Sequence, residues 1–250
     1  MLVNRSFIFG GCRGLSLSLT NELASSDSYV TVFTREQQHS NGRAQSYNYI
    51  DIDNISSIDN ALSNIPQSLC AQSLDKLDVY LLYGGGLGVN SLCYEAGYQA
   101  YIRVFNHNVF IQHKITSYFI NQIQPIISNA PLNFIYIFSA VSKHYSADPL
   151  YVASKLALEG MMKAFVCMRK PNVTFSGFRL GMVDVDYKYF HRLSTEDPVA
   201  FKQILDENLP SQYFPSTDEV AKFMVQATTN SFLTNGMIFD ISGGNSWFVK

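Results

Sequence analysis

Short apolar segments alternate with longer stretches of helical periodicity along this 250-residue chain, and that alternation restricts its fold more than any other feature. Strand patterns that alternate with helical patterns are typical of βαβ units and of a parallel sheet. The segment Asn133–Ser139 is almost uninterruptedly apolar, which predicts a strand covered on both faces. We therefore predict one α/β domain over residues 1–250, with a doubly wound parallel sheet.

The pattern predicts the elements in detail. The strands are Ser6–Phe9, Tyr29–Thr34, Tyr47–Asp51, Leu77–Tyr83, Asn133–Ser139, Val173–Leu180 and Met237–Ile241. The helices are Leu15–Ala24, Ile55–Leu62, Tyr98–Gln124, Leu150–Met168 and Thr217–Thr228. The longest helix is expected to stop at Pro125, because proline removes a helical hydrogen bond. Asp184–Ser216 is the one long irregular stretch, and we expect it to form a substrate lid.

Composition excludes several classes of function. The 18 basic and 20 acidic residues give a formal charge of −2, too little positive charge for a nucleic-acid partner. Apolar runs near the start are too short for a signal peptide or a membrane span, so we expect a cytoplasmic protein without a membrane partner. The cysteines Cys12, Cys70, Cys93 and Cys167 are scattered, which predicts reduced structural thiols and no metal site.

A glycine-rich turn follows the first predicted strand. It reads Gly10-Gly11-Cys12-Arg13-Gly14-Leu15-Ser16 and runs into a helix. Glycines at such a turn let the backbone approach a pyrophosphate, and the helix N-terminus supplies free N–H groups and a positive dipole end. The general G-x-G-x-x-G fingerprint is absent, so the position of the turn carries the prediction of phosphate binding.

Two arginines indicate which dinucleotide would bind. An NAD-selective domain has an acidic residue about 20 residues beyond the glycines, whereas this chain has Arg35 after the second strand. Together with Arg13 inside the turn, Arg35 suits the 2′-phosphate of NADP(H). The alternative is that both are solvated surface arginines. Asp51 could contact the adenine amino group or could simply end its strand.

A tyrosine and a lysine open the helix after the fifth strand. Tyr151 and Lys155 are four residues apart and share a helical face. A nearby ammonium lowers the pKa of a phenol and lets it exchange a proton with a carbonyl or alcohol oxygen. Ser139 ends the preceding strand and could bind the same substrate oxygen, with Ser142 as the rival. A tyrosine and a lysine at this spacing are expected by chance in such a chain, so the prediction rests on their position directly after the strand that ends at Ser139.

Asn108 is the fourth candidate catalytic residue. It falls on an apolar stripe at helical spacing, where a polar side chain is costly unless it is hydrogen-bonded. It is either a satisfied core asparagine or the site of a helix kink that anchors a water leading to Lys155.

These motifs resemble those of the short-chain dehydrogenase/reductase superfamily over essentially the whole chain. The turn Gly10-x-x-x-Gly14-Leu15-Ser16 resembles T-G-x-x-x-G-x-G, and Asn108, Ser139, Tyr151 and Lys155 match the Asn-Ser-Tyr-Lys tetrad. Three further matches follow along the chain: Tyr83-Gly84-Gly85-Gly86 stands in the place of N-N-A-G, Arg179-Leu180-Gly181-Met182-Val183-Asp184 resembles P-G-x-x-x-T, and Asp240-Ile241-Ser242-Gly243-Gly244 resembles D-G-G. Phe9, Ser16 and Leu180 depart from these patterns.

The resemblance implies a Rossmann-type sheet of seven strands in the order 3-2-1-4-5-6-7, and a homodimer or homotetramer. It also implies cofactor contacts from Gly10, Arg13, Gly14, Leu15, Arg35, Asp51, Gly84, Gly85, Gly86, Tyr151, Lys155, Gly181 and Val183. The predicted function is NADPH-dependent reduction of a ketone or aldehyde on a small organic substrate. A dehydratase or epimerase of the same fold, and an NADP-sensing binding protein without catalysis, are the alternatives.

The residues of the predicted lid do not decide which substrate binds. Its aromatic residues are Tyr187, Tyr189, Phe190, His191, Phe201, Tyr213 and Phe214, a set that suits a flat or apolar carbonyl compound. Its acidic residues Asp184, Asp186, Glu196 and Asp197 could instead meet a cationic substrate. Both sets could also serve only lid packing and a solvated surface.

Overall fold

A single sheet organises the molecule. The computed structural model describes residues 3–36, 42–69, 73–83, 98–127, 129–140, 149–185 and 189–244. In these residues seven parallel strands pair in the order β3-β2-β1-β4-β5-β6-β7. They are β1 Val3–Phe9, β2 Ser28–Thr34, β3 Ser46–Tyr49, β4 Leu74–Leu81, β5 Leu132–Ser139, β6 Val173–Leu180 and β7 Ile238–Ile241. The predicted fold class and strand order are confirmed.

Helices cover both faces of the sheet. They are α1 Leu15–Ser25, α2 Ile55–Ser63, α3 Ile65–Leu69, α4 Tyr98–Phe105, α5 Ile111–Tyr118, α6 Gln124–Ile127, α7 Pro149–Cys167, α8 Tyr189–Glu196, α9 Pro198–Asn208 and α10 Thr217–Ala227. Helices α1 and α10 pack beside each other and enclose one buried cluster. Helices α2, α3, α5 and α7 contribute to the buried cluster on the other face. In the described part of the chain, no helix is long and apolar enough to cross a membrane.

The core explains why the central strands are nearly all apolar. Along β1, Phe7 and Phe9 enter one buried cluster, whereas Ile8 between them enters the other. In β5, Phe134 and Ile135 divide in the same way. Successive side chains of a strand point to opposite faces, so a sheet with helices on both sides needs apolar residues at every position.

The helix around Pro125 differs from the prediction, because it does not end before that residue. Residues 98–127 form a continuous helical segment with two π-helical turns, at Asn106–Phe110 and Phe119–Ile123. Pro125 is the second residue after the second π turn, in α6. Proline cannot donate to the helical ladder, and the wider π turn directly before it provides the irregularity that lets the helix continue.

The sequence predicted an irregular stretch from residue 184 to 216. This prediction is wrong, because α8 and α9 lie within the stretch. Asp197 caps α9 by accepting a hydrogen bond from the N–H of Ala200 at 3.0 Å, and Pro198 stands in the first turn. A cap followed by proline is a helix-start signal, and the sequence prediction overlooked it. Residues 184 and 216 themselves pair as an isolated parallel bridge.

Candidate active site

The carboxyl ends of the parallel strands lie at one edge of the sheet, and several predicted site residues lie there with them. Gly10 directly follows β1, Ser139 ends β5, and Leu180 ends β6 beside Ser139 in the strand register. Ligands of doubly wound sheets bind outside this edge. The topology therefore places the glycine turn and Ser139 on the side of the sheet where a dinucleotide would bind.

The glycine turn has the geometry of an anion cradle. Gly10, Gly11 and Gly14 have φ values of +153°, +100° and +51°, which L side chains rarely adopt. A Cβ on Gly10 would lie 2.6 Å from Leu82, whereas the Cβ position of Gly11 faces open space. Gly14 caps α1 without a side-chain hydrogen bond, and no acidic residue stands in the first turn. The start of α1, at Leu15, is thus suited to a phosphate group.

The two departures from the glycine motif have structural explanations. Phe9, where the motif has threonine, is fully buried and stacks on Phe33 with ring centroids 4.3 Å apart. The hydroxyl of Ser16, where the motif has its last glycine, donates to the carbonyl oxygen of Gly10 at 3.3 Å. The first exchange adds core packing, and the second fastens the turn to the helix that follows it.

Both predicted phosphate-binding arginines are paired with carboxylates. The Arg13 Nε lies 3.0 Å from the Glu36 carboxylate, which also accepts a hydrogen bond from the thiol of Cys12 at 3.3 Å. Arg35 Nη1 lies 3.9 Å from Asp53 Oδ2. The two arginine side chains are 65% and 55% exposed, so the pairs are weak and open to exchange with another anion.

Asp51 lies in the turn after β3 rather than in the strand, which ends two residues earlier at Tyr49. Its carboxylate accepts the N–H of Asp53 at 3.0 Å, so its position is set by a local turn. Asp53 also contacts Nε2 of the buried His107 at 2.5 Å, and this hydrogen bond lowers the pKa of Asp53. Sequence reasoning had not singled out this histidine.

Lys155 and Tyr151 share one face of α7, as predicted. Lys155 is 2% exposed, and its Nζ donates to the carbonyl oxygen of Ile137 at 3.3 Å. The same nitrogen lies 5.7 Å from the centroid of the half-buried Tyr151 ring. Burial lowers the pKa of Lys155 to about 8. A cation that titrates near neutrality is thus held against the phenol ring.

Asn108 lies in the first π-helical turn, which interrupts the regular α-helix at this position. It is fully buried, and its amide donates to the hydroxyl of Ser154 at 2.8 Å. That hydroxyl in turn donates to the carbonyl oxygen of Tyr151 at 2.7 Å. The amide nitrogen of Asn108 therefore connects the π turn to the helix carrying Tyr151, while its Oδ1 is buried without a hydrogen-bond partner among the described residues. A role in water binding remains a prediction.

Gln112 follows one helical turn after Asn108 and was missed by the sequence analysis. Its amide nitrogen donates to the carbonyl oxygens of Tyr83 and Asn108, each at 3.1 Å. The spacing of four residues from Asn108 was the signal that could have found it.

The remaining predicted residues divide between described and undescribed parts of the chain. Gly84, Gly85, Gly86 and Ser142 lie outside the described residues. Gly181 is described, and a Cβ on it would lie 2.8 Å from the backbone of Ser242. This close approach of two chain segments requires glycine on packing grounds. Val183 is partly buried nearby, at the start of the predicted lid.

Side chains of the predicted lid pack largely on one another. Phe214 lies edge-on to Phe201 and Phe190, with centroids 5.2 and 6.3 Å apart. Nδ1 of His191 lies 2.8 Å from the carboxylate oxygen Oδ1 of Asp184, within hydrogen-bonding distance. These contacts favour the packing interpretation for the three aromatic residues. Asp184 and Asp197 have partners within the protein, whereas Asp186 lies outside the described residues, so a cationic substrate stays an alternative.

Known proteins were compared with the chain by sequence and by structure. The family model described as short chain dehydrogenase matches residues 5–196. No curated protein matches the sequence. The fold is similar to that of an actinorhodin polyketide ketoreductase variant solved with NADPH, at a TM-score of 0.80 and 16% identity, over 98% of both chains.

Two further solved structures agree with that comparison. An L-sorbose reductase from Gluconobacter frateurii, in complex with NADPH and L-sorbose, has a TM-score of 0.80 and 17% identity over 97% of this chain and 96% of its own. ElxO with NADP bound has a TM-score of 0.81 and 16% identity over the full length of both. At these identities the structures establish the fold, and the family follows from the sequence model, which spans most of the chain. The chain belongs to the short-chain dehydrogenase family.

Proposed function

We propose that the protein reduces a ketone or aldehyde to an alcohol with NADPH. The observation that carries the proposal is the buried ammonium of Lys155, held 5.7 Å from the ring centroid of Tyr151 at the carboxyl edge of the sheet. A cation at this place stabilises phenolate character and so tunes the phenol for proton transfer. In the proposed reaction, Tyr151 donates a proton to the carbonyl oxygen and Ser139 holds that oxygen.

The residues of the glycine turn fit a dinucleotide. The space above Gly11 and the uncapped start of α1 would take its pyrophosphate. Bound NADPH would supply the hydride, and the protein would supply position and charge. Lys155 would contact the nicotinamide ribose, and Asn108 would hold the water that passes a proton towards Lys155.

The choice of NADP(H) rests on Arg13 and Arg35, which flank the expected ribose position. Both are exposed, and among the described residues each is paired with a surface carboxylate, so a 2′-phosphate could take over their hydrogen bonds. Three similar folds were solved with NADP or NADPH, which supports the same choice. The proposal includes a cytoplasmic location, assembly into a homodimer or homotetramer, and a lid over residues 184–216 that closes on the substrate.

Single-turnover oxidation of NADPH with a panel of ketones and aldehydes tests the reaction. Loss of the nicotinamide absorbance together with formation of the alcohol is the expected result. A sensor would bind NADPH, as measured by its fluorescence, without consuming it. A dehydratase or epimerase would convert its substrate with no net oxidation of the cofactor. Either result would overturn the proposed reduction.

A further inference from the structure

Gln112 connects two chain segments that border the proposed site. Its side chain is fully buried, and its Nε2 donates to the carbonyl oxygen of Tyr83 and to that of Asn108. An amide nitrogen has two hydrogens, so both are used. The opposite amide orientation would turn Oε1 towards two carbonyl oxygens, and the acceptors therefore fix how the side chain lies.

The two acceptors belong to segments with different tasks. Tyr83 follows the carboxyl end of β4, directly before Gly84-Gly85-Gly86 and on the edge where the cofactor is proposed to bind. Asn108 lies in the π-helical turn and reaches α7 through Ser154. Among the residues that the structure describes, Gln112 thus has a side chain that hydrogen-bonds to both segments at once.

Tyr83 stands directly before three glycines in the sequence. Its ring packs in the core, with the centroid 6.4 Å from that of Phe9, but its hydroxyl is buried without a hydrogen-bond partner among the described residues. A buried glutamine costs desolvation energy that an apolar residue of the same size would avoid, unless its hydrogen bonds compensate. A positioning role for its hydrogen bonds would explain why position 112 holds a polar rather than an apolar residue.

We propose that Gln112 is a positioning residue, which holds the Tyr83 carbonyl and the Asn108 turn at a fixed separation. It thereby aligns the cofactor-facing end of β4 with the Asn108–Ser154–Tyr151 hydrogen-bond chain. This inference rests on the proposed function, because the alignment matters only where a bound nicotinamide meets Tyr151. It makes hydrogen-bond donation, rather than the volume of the side chain, the property required at position 112.

Two variants separate donation from volume. Gln112→Met keeps the approximate volume and removes both donors. Gln112→Glu keeps the shape, but a carboxylate cannot donate, whereas the protonated acid can donate one hydrogen bond. Burial raises the pKa of a carboxyl group. The glutamate variant should therefore regain function as the pH falls. Gln122→Glu, the same exchange at an exposed position of the same helical segment, is the matched control.

The measurements are kcat, KM for the carbonyl substrate, the dissociation constant of NADPH, and the melting temperature, each at pH 6 and pH 8. Without the amide donors the two segments lose their fixed separation, and misplacement of reacting groups by about 1 Å can cost about 10²-fold, so at pH 8 we expect kcat to fall about 10–100-fold in both Gln112 variants. KM for the carbonyl substrate should change little. At pH 6 the glutamate variant alone should recover, by about tenfold relative to the wild type at that pH.

Equal losses in the two Gln112 variants at both pH values, or wild-type kcat and NADPH binding in both, would overturn the positioning role. The melting temperatures separate unfolding from misalignment. If the wild type oxidises no NADPH at all, the proposed function has failed. Gln112 is then judged from the NADPH dissociation constant alone, which should show the same pH-dependent recovery in the glutamate variant.

Discussion

The two ends of the proposed site hold their cationic side chains in opposite ways. At the nucleotide end, Arg13 and Arg35 are more than half exposed and paired with carboxylates. At the chemical end, Lys155 is buried, and the described residues give it a carbonyl oxygen and an aromatic ring but no carboxylate. Exposed pairs are screened by water, whereas a buried charge acts strongly on its neighbours. Substitutions at the chemical end should therefore have much larger effects.

Tyr151→Phe should have the largest effect of all. The change removes the acidic hydroxyl and keeps the ring, and general acid catalysis is typically worth about 10²–10⁴-fold. We expect turnover to fall by that factor while the dissociation constant of NADPH stays within a few-fold. Tyr29→Phe, at the opposite end of the sheet in β2, is the matched control. Near-normal turnover in Tyr151→Phe would reject its proposed role.

The pH dependence of Lys155 should come next. Because burial lowers its pKa to about 8, the ammonium is present below pH 8 and is lost above it. We expect kcat to fall about tenfold per pH unit above pH 8. In Lys155→Arg, whatever activity remains should lack this decline, because a guanidinium stays charged. A wild-type rate that is flat up to pH 10 would contradict the assignment.

The same lysine gives a prediction for stability. Its folded pKa lies below the ordinary value of 10.5, so the unfolded chain binds more protons between pH 8 and 10.5. The free energy of unfolding should therefore rise through this window, by roughly 3 kcal/mol at most. Chemical denaturation at pH 8 and pH 9.5 measures this change. Lys155→Met should remove the rise, and an unchanged rise in that variant would assign it to other groups.

Arg35 should have a smaller effect, confined to one cofactor. A hydrogen bond to a charged group is worth about 1.5–3 kcal/mol, so Arg35→Ala should weaken NADPH binding about tenfold or more and leave NADH nearly unchanged. Arg35→Asp should go further, because a carboxylate repels the 2′-phosphate. The ratio of kcat/KM for NADPH to that for NADH should fall in the order wild type, Ala, Asp.

Arg43→Ala is the control for that series, since Arg43 is exposed and contacts Asn21 and Ser25 towards the far end of α1. If the wild type prefers NADH, or if the NADPH-to-NADH ratio of kcat/KM stays the same in the Arg35 variants, Arg13 and Arg35 are surface residues that do not select the cofactor.

The smallest effect is expected at the thiols. Cys12 is buried, and its thiol donates to Glu36, whereas Cys167 is exposed. Replacing either with serine should leave kcat/KM within a few-fold. Loss of activity in Cys12→Ser alone would show that this thiol shapes the glycine turn through its contact with Glu36.

How much of the structure the sequence could predict depends on whether a feature is local or joins residues far apart in the chain. The alternation of strands and helices and the shared helical face of Tyr151 and Lys155 follow from local periodicity, which a single sequence carries. The strand order does not, and it was predicted from the family resemblance. The pairing of Arg13 with Glu36 does not, because it joins residues 23 positions apart across two loops, and many carboxylates could have filled that place. Pro125 misled the prediction because the π turn that ends at Ile123, just before it, lets the helix continue past a proline.

The bridge between Asp184 and Ser216 has a consequence for how this fold can change. The N–H of Asp184 donates to the carbonyl oxygen of Pro215 at 2.8 Å, so the two ends of the segment that contains α8 and α9 lie side by side. Closing a flexible loop costs only about 0.6 kcal/mol more for each doubling of its length. The segment can therefore be lengthened, shortened or exchanged while its anchor and the seven strands stay in register. In the proposed role as a lid, changes in this segment would alter which compounds reach the site, without rebuilding the scaffold that carries Tyr151 and Lys155.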